Sequence, residues 1–408
     1  MMNTIKALFS AFFLILAFVV QGQSISGSAY NVFGIGSLEH TGLVSFEGMG
    51  NIGIANRSTE NVNLKNPAAL NAIHGYNQIF DVGFTYSLLN QSSEGQSFNT
   101  SSGGINGLNY WFRNSSKMAM TFGFSKISDA SYDVTDQNAE NNVLGNYDAR
   151  HLGEGGTTSF YFGTGYELTE RLNVGARFNF LFGSMNHTES FYSPELSTYL
   201  EVEEDKWFTS ALFDFGAQYI IPFGKKTIIL GATLSNGTSA GVAYETIIES
   251  STDTLNYTGA SSAIKIPPKY GLGVGVNNGS WSINLDYEYQ PWGMNTNGND
   301  YSYRDRTILS AGIEFQKDRT SQEYLDRMSY RIGTSTFNNY ISIEGINYWN
   351  SSFSAGLGLP IGMRGLINLS YQYVNNGTLS NGLIYEQQHS FSIGLSFKDI
   401  WFRKSVYD

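Results

Sequence analysis

The sequence predicts an all-β protein, a transmembrane antiparallel β-barrel of about 14 strands with an N-terminal hatch inside its bore. Three observations predict it. Residues alternate apolar and polar over long stretches, the connections between those stretches alternate long and short, and a polar, glycine-rich segment precedes the first of them.

The alternation begins after Tyr76. Phe80, Val82, Phe84, Tyr86 and Leu88 share one face of a strand, with Asp81, Gly83, Thr85 and Ser87 on the other. Met118, Met120, Phe122 and Phe124 oppose Ala119, Thr121, Gly123 and Ser125. From Leu172 to Phe182 apolar residues take the even positions, and Trp281 to Gln290 and Phe391 to Phe397 repeat the pattern. Period two is the mark of a strand with one apolar and one polar face.

A soluble sandwich also alternates, so the connections decide. Asn114 to Lys117, Leu168 to Arg171, Pro222 to Lys225, Asn277 to Ser280 and Pro360 to Arg364 read as short turns. Between them fall longer polar links at 91–103, 134–156, 190–204, 249–262, 291–303, 335–350 and 376–385. All long loops then lie at one end, as in an outer-membrane barrel with extracellular loops and short periplasmic turns. One longer link, Lys317 to Arg327, falls on the short-turn side.

Composition agrees. Charged residues are only 14% of the chain, and tyrosine (26) and phenylalanine (28) are abundant, which excludes a disordered chain. The net charge of −11 offers no footprint for nucleic acid. With no cysteine, disulfide scaffolds, thiol catalysis and cysteine-bound metals are excluded. The five histidines are scattered, without the spacing of a metal centre, and no nucleophile elbow or phosphate loop occurs, so neither enzyme activity nor a cofactor is expected.

The chain divides into three parts. Residues 1–22 read as a signal peptide: Lys6 gives a basic start, Leu8 to Val20 is an apolar run too short to span a bilayer, and Val20-Gln21-Gly22 offers a cleavage site. Residues 23–75 form the hatch segment and 76–408 the barrel. In the hatch, Gly48, Gly50 and Gly53 permit tight or left-handed backbone, and Asn66-Pro67 biases the chain to an extended or turn conformation. The last strand, with Phe391, Phe397, Ile400 and Phe402 in loose register, resembles the terminal signal read by barrel-insertion machinery of Gram-negative bacteria, although Arg403-Lys404 departs from a terminal phenylalanine.

The order of signal peptide, GMGNIGIA, NPAAL and alternating strands resembles the FadL-type long-chain fatty acid and aromatic hydrocarbon transporters of outer membranes. The motif Asn66, Pro67, Ala68 matches that family's hatch, and Ile266-Pro267-Pro268 and Trp292 extend the match. Ser28 to Gly36 looks like the start of a Bacteroidota branch. The resemblance implies an outer-membrane location, a monomeric barrel in contact with membrane lipid, and passive uptake of hydrophobic small molecules. It also implies an alternative, a non-transporting partner or plug of the type 9 secretion translocon, whose docking surface would be the 317–327 link.

An uptake protein needs an apolar pocket and an exit. Candidates for the pocket are Phe33, Ile35, Leu43 and Phe46, with the loop aromatics Phe191 and Tyr192. A lateral exit is expected at Ser125, Lys126 and Ile127, where the outward phase slips as at a β-bulge; a strand that has simply left the hydrocarbon by Lys126 gives the same pattern. Asp81, Arg177, Asp214, Asp286, Glu288, Glu314 and Arg331 fall on polar faces and would form a lumen charge network around the hatch, with Arg177 and Arg331 as its cations; anchoring and substrate contact are both open to it. Glu201, Glu203, Glu204 and Asp205 could hold calcium or simply face water.

Overall fold

The structure is a computed structural model; it describes residues 27–38, 42–93, 96–141, 145–193, 198–259, 262–295, 301–343, 345–362 and 364–399. The signal-peptide stretch and the residues Ile400, Phe402, Arg403 and Lys404 of the terminal signature lie outside the described residues.

Among the described residues fourteen strands close the barrel. They are β1 (Gln78–Ser93), β2 (Gln96–Arg113), β3 (Met118–Asp129), β4 (Gly145–Glu167), β5 (Leu172–Ser193), β6 (Thr198–Phe223) and β7 (Lys226–Ser235), followed by β8 (Lys269–Asn277), β9 (Trp281–Gln290), β10 (Arg306–Phe315), β11 (Ser329–Phe337), β12 (Asn350–Ile361), β13 (Gly365–Gly377) and β14 (Tyr385–Asp399). Each pairs antiparallel with the next, and β14 returns to β1 from Gln78↔Asp399 to Ser92↔Tyr385, which removes the sheet edge. Phe80, Phe124, Phe180, Leu285 and Ile393 are exposed on the outer wall, as the alternation requires of a surface that meets hydrocarbon.

The long polar links expected at one end are largely strand. β4, β5 and β6 run for 23, 22 and 26 residues, well beyond the ~9–11 that cross a bilayer. Tyr132–Asn141 extends the line of β3 against β4, Thr238–Ser250 extends β7 against β6, and Thr254–Thr258 and Ser262–Ile266 lead into β8. These hairpins escape an alternation test because both their faces carry polar residues. The 317–327 link contains one helical turn, Tyr324–Arg327.

Pairing between β2 and β3 covers only Gly107↔Ser125 to Arg113↔Ala119. Beyond Ser125 the free edge of β3 takes a short strand from the N-terminal segment, with Ser37 opposite Asp129 and Leu38 opposite Ser128. The register of β3 on β4 shifts between Lys126 and Ser128, a bulge at Ile127.

Residues 42–73 pack against the inner wall, and Met49, Ile52, Ile54, Ala55, Val62 and Leu70 are almost fully buried there. The wall accepts their backbone because it is glycine where they touch. A Cβ added at Gly333 would lie 2.1 Å from the Met49 carbonyl carbon, one at Gly231 2.2 Å from the Ile54 oxygen, and one at Gly175 2.3 Å from the Pro67 carbonyl carbon. Of the three segment glycines, only Gly50 is left-handed (φ 70°), followed by Asn51 at φ 57°. Gly48 and Gly53 serve close approach instead, to the backbone of Gly356 and to the Lys65 side chain.

Gly333→Ala therefore costs about 1–3 kcal/mol, since backbone must move to admit the methyl group. Gly104→Ala, with no neighbour within 4 Å of the added atom, stays within about 0.5 kcal/mol. Thermal unfolding of the two variants beside the parent protein checks this.

Candidate functional site

A buried segment with little regular structure must find partners for its own backbone. Asp286 on β9 accepts the N–H groups of Gly53 at 2.7 Å and Ile54 at 3.0 Å. Gly50 donates to the Ser354 hydroxyl of β12 at 2.8 Å. Asn66 closes a turn of its own: its side-chain oxygen accepts from the Ala68 N–H at 3.0 Å, and its amide donates to the Ile54 carbonyl at 2.7 Å. Pro67 then opens the 3-10 turn Pro67–Ala72, where its missing donor costs nothing. The far end of that turn is fixed from the wall, by the Trp111 indole to the Leu70 carbonyl at 2.8 Å and by Arg113 to the Ile73 carbonyl at 2.6 Å.

The charged residues of the inner wall fall into separate groups. Arg177 pairs with Asp214 at 2.6 Å and donates to the Leu64 carbonyl of the segment at 2.6 Å. Arg331 pairs with Glu314 at 2.6 Å and donates to Asn368 at 2.8 Å. Asp286 and Glu288 hold Lys65, at 3.5 and 2.6 Å. Burial alone would lower the Lys65 ammonium, but these two carboxylates hold it above its ordinary value. Asp81 stands apart from these pairs and accepts from Asn109 at 3.1 Å.

Further cations beyond Arg177 and Arg331 escape the sequence reading, among them Arg113 above. Lys65 and Arg57 lie on the segment, where no alternation marks an inward face; Arg57 donates to Gln218 of β6 at 3.1 Å. Lys398 of β14 bonds Glu60, and Arg319, from the short-turn end, reaches the same carboxylate at 2.6 Å. Burial pushes the Glu60 carboxyl up, yet Lys398 and Arg319 more than offset this and hold it below its ordinary 4.5.

Above the segment lies an internal cavity of about 140 Å³. Ile35, Phe46, Ile127, Phe208 and Trp292 line its apolar part, and Lys65, Glu288, Arg177 and Asp214 its polar base. Phe33 packs on Tyr301 beside the cluster of Ile35, Trp292 and Tyr340, whereas Leu43 lies deeper, against Phe46, Met49 and Ile52. Phe191 stands apart, against Tyr147 and His151, and Tyr192 is exposed on the same hairpin. A second cleft, of about 520 Å³, opens on the outer wall between Ile105 and Phe124 and runs to Ser125, Lys126 and Thr157. Lys126 itself is bound to Asp129. Thr157 borders both spaces.

The acidic run on β6 is engaged in cross-strand bonds: Asn186 donates to Glu203 and Asp205, Ser190 to Glu201, and Lys206 pairs with Glu204. Among the described residues no three carboxylate or histidine side chains are grouped to hold a metal ion.

The family model BamG matches residues 4–408. The chain belongs to the BamG family. This is a different family name from the FadL type to which the sequence motifs point; the FadL likeness holds for the fold. A Pseudomonas aeruginosa FadL homologue is 12% identical, covering 89% of this chain and 99% of its own, with a TM-score of 0.64. The Pseudomonas putida toluene transporter TodX is 13% identical over 90% of this chain and 100% of its own, with a TM-score of 0.63. For the Ralstonia pickettii toluene transporter TbuX the identity is 16%, the coverage 88% and 99%, and the TM-score 0.58. No curated protein matches this BamG-family sequence.

Arg177→Ala leaves Asp214 without its cation and the Leu64 carbonyl without its donor, and is expected to destabilise the protein by about 3–5 kcal/mol in thermal unfolding. Because the Glu60 carboxyl is held low, its contribution to stability is complete above the ordinary carboxylate value and is lost as pH falls through the lower folded value. Melting temperature followed from neutral pH downward should show this loss in the parent protein and lack that part of it in Glu60→Gln.

Proposed function

We propose that this protein is an outer-membrane barrel for passive uptake of hydrophobic small molecules, with residues 1–22 removed as a signal peptide, 23–75 as the hatch and 76–408 as the barrel. It works as a monomeric channel and not as an enzyme. A solute of this kind enters the cavity above the hatch from the extracellular side and leaves sideways into the membrane, so it never crosses a water-filled bore.

One observation carries the reading. The cavity and the outer cleft share Thr157 as a lining residue, beside the bulge at Ile127 and close to where β2 and β3 stop pairing. Ile127 at the bulge lines the cavity while its neighbours Ser125 and Lys126 border the outer cleft, so consecutive residues of β3 face the two spaces. The cavity is close in size to the engineered ~150 Å³ apolar cavity that admits benzene. The lumen ion pairs hold the hatch, consistent with buried charges being paired. The printed names of similar structures, toluene transporters and a monoaromatic hydrocarbon channel, agree with small apolar solutes. The start Ser28 to Gly36 supports a Bacteroidota source. The alternative of a type 9 translocon subunit draws no support from these relatives.

Ile127→Trp fills the passage without disturbing the ion pairs. Uptake of radiolabelled toluene by cells carrying this variant should fall to the level of cells without the protein, at an unchanged melting temperature. Undiminished uptake would overturn the lateral route.

A further inference from the structure

Two buried polar side chains on the wall of the cavity have no partner. Trp292 is fully buried beside Tyr340 and Tyr303, at ring-centroid distances of 4.5 and 6.0 Å, and its indole N–H donates to nothing. Asn51 is 4% exposed and left-handed; its carbonyl accepts from Lys65 at 2.6 Å, but neither its amide nitrogen nor its amide oxygen is bonded. Buried donors and acceptors are nearly always satisfied, and leaving one bare costs free energy. A plain hydrocarbon in this cavity would leave all three atoms bare.

The charges of the same cavity point to a head group without charge. Lys65 is bound by Glu288 and Asp286, Arg177 by Asp214, Lys269 stands 3.9 Å from Glu288, and Arg306 is likewise engaged. A carboxylate brought here would have to displace one of these protein carboxylates or sit beside it. A hydroxyl or an amide meets no such competition: it gives the indole an acceptor, and gives the Asn51 amide a donor and an acceptor. Ile35, Phe46, Phe208 and Ile308 supply the apolar surface for the rest of the molecule.

We propose that the cavity takes a neutral amphiphile, an apolar chain or ring bearing one uncharged hydrogen-bonding group such as an alcohol or an amide, in preference to a bare hydrocarbon or a carboxylate. This rests on the uptake reading above and narrows its substrate class.

The test is calorimetric titration of the full-length barrel in lipid nanodiscs with 1-octanol, octane and octanoate at neutral pH, against empty nanodiscs. Octanol should bind about tenfold tighter than octane, as expected for one or two added neutral hydrogen bonds, and tighter than octanoate. The double variant Trp292→Phe with Asn51→Gly retains an aromatic ring at 292 and suits the left-handed backbone at 51; whatever its affinity for octane, it should bind octanol no more tightly than octane. Equal binding of octanol and octane, tightest binding of octanoate, or a preference that survives in the double variant would each overturn the proposal while leaving uptake standing. Binding of none of the three would overturn the uptake reading and this proposal with it.

Discussion

The interior of this barrel depends on one constraint: a nearly unstructured backbone is enclosed by a sheet whose own hydrogen bonds are already made. The segment is therefore held chiefly by side chains, with carboxylates, amides and guanidinium groups aimed at its N–H and C=O groups, while the wall's main chain contributes at few places, such as the Ala217 carbonyl that accepts from the Asn66 amide. Asp286 on Gly53 and Ile54, Arg177 on Leu64 and Arg113 on Ile73 are all instances. Short side chains cannot reach a backbone that stands off the wall, and a Cβ on the wall would keep it off. The glycines at 175, 231 and 333 and the charged residues between them are two halves of the same arrangement.

Much of this was legible in the sequence. The barrel was, because alternation marks an outer face that meets hydrocarbon and an inner face that does not. Some of the charges on the strands, such as Arg177 and Asp286, follow from the same phase, whereas Arg113 on β2 and Lys398 on β14 do not appear in that reading. Nor do the partners on the segment: Lys65, Arg57 and Glu60 sit in a stretch with no period, and their roles are fixed by strands hundreds of residues away. The glycines of the wall were equally silent, since a glycine at an inward position reads the same whether it faces water or another backbone. Loop length was misread for a related reason, because the outer ladders of β4 to β6 have no apolar face to reveal them.

The bulge at Ile127 lay between these cases. The sequence showed that the phase slips there, and two explanations fitted. Register decides that a bulge is present, and the early end of the β2 and β3 pairing gives it a consequence, because the wall is interrupted at the same height. The inserted residue changes which side chain faces inward, and a second register shift, of β2 against β1 at Asn106, lies beside the last β2–β3 pair.

The N-terminal stretch is gripped at the end of the barrel opposite the short turns. Glu386, on the first turn-distal residues of β14, accepts from the Ser28 hydroxyl at 2.6 Å and from the Ala29 N–H at 2.9 Å, and the Tyr340 hydroxyl donates to the Gly36 carbonyl at 2.6 Å. The chain then descends the whole bore before β1 begins at its other end. The segment is thus pinned at both rims, by its covalent link to β1 at one and by Glu386 and Tyr340 at the other, so it cannot slide out of the bore until those bonds at the far rim are released.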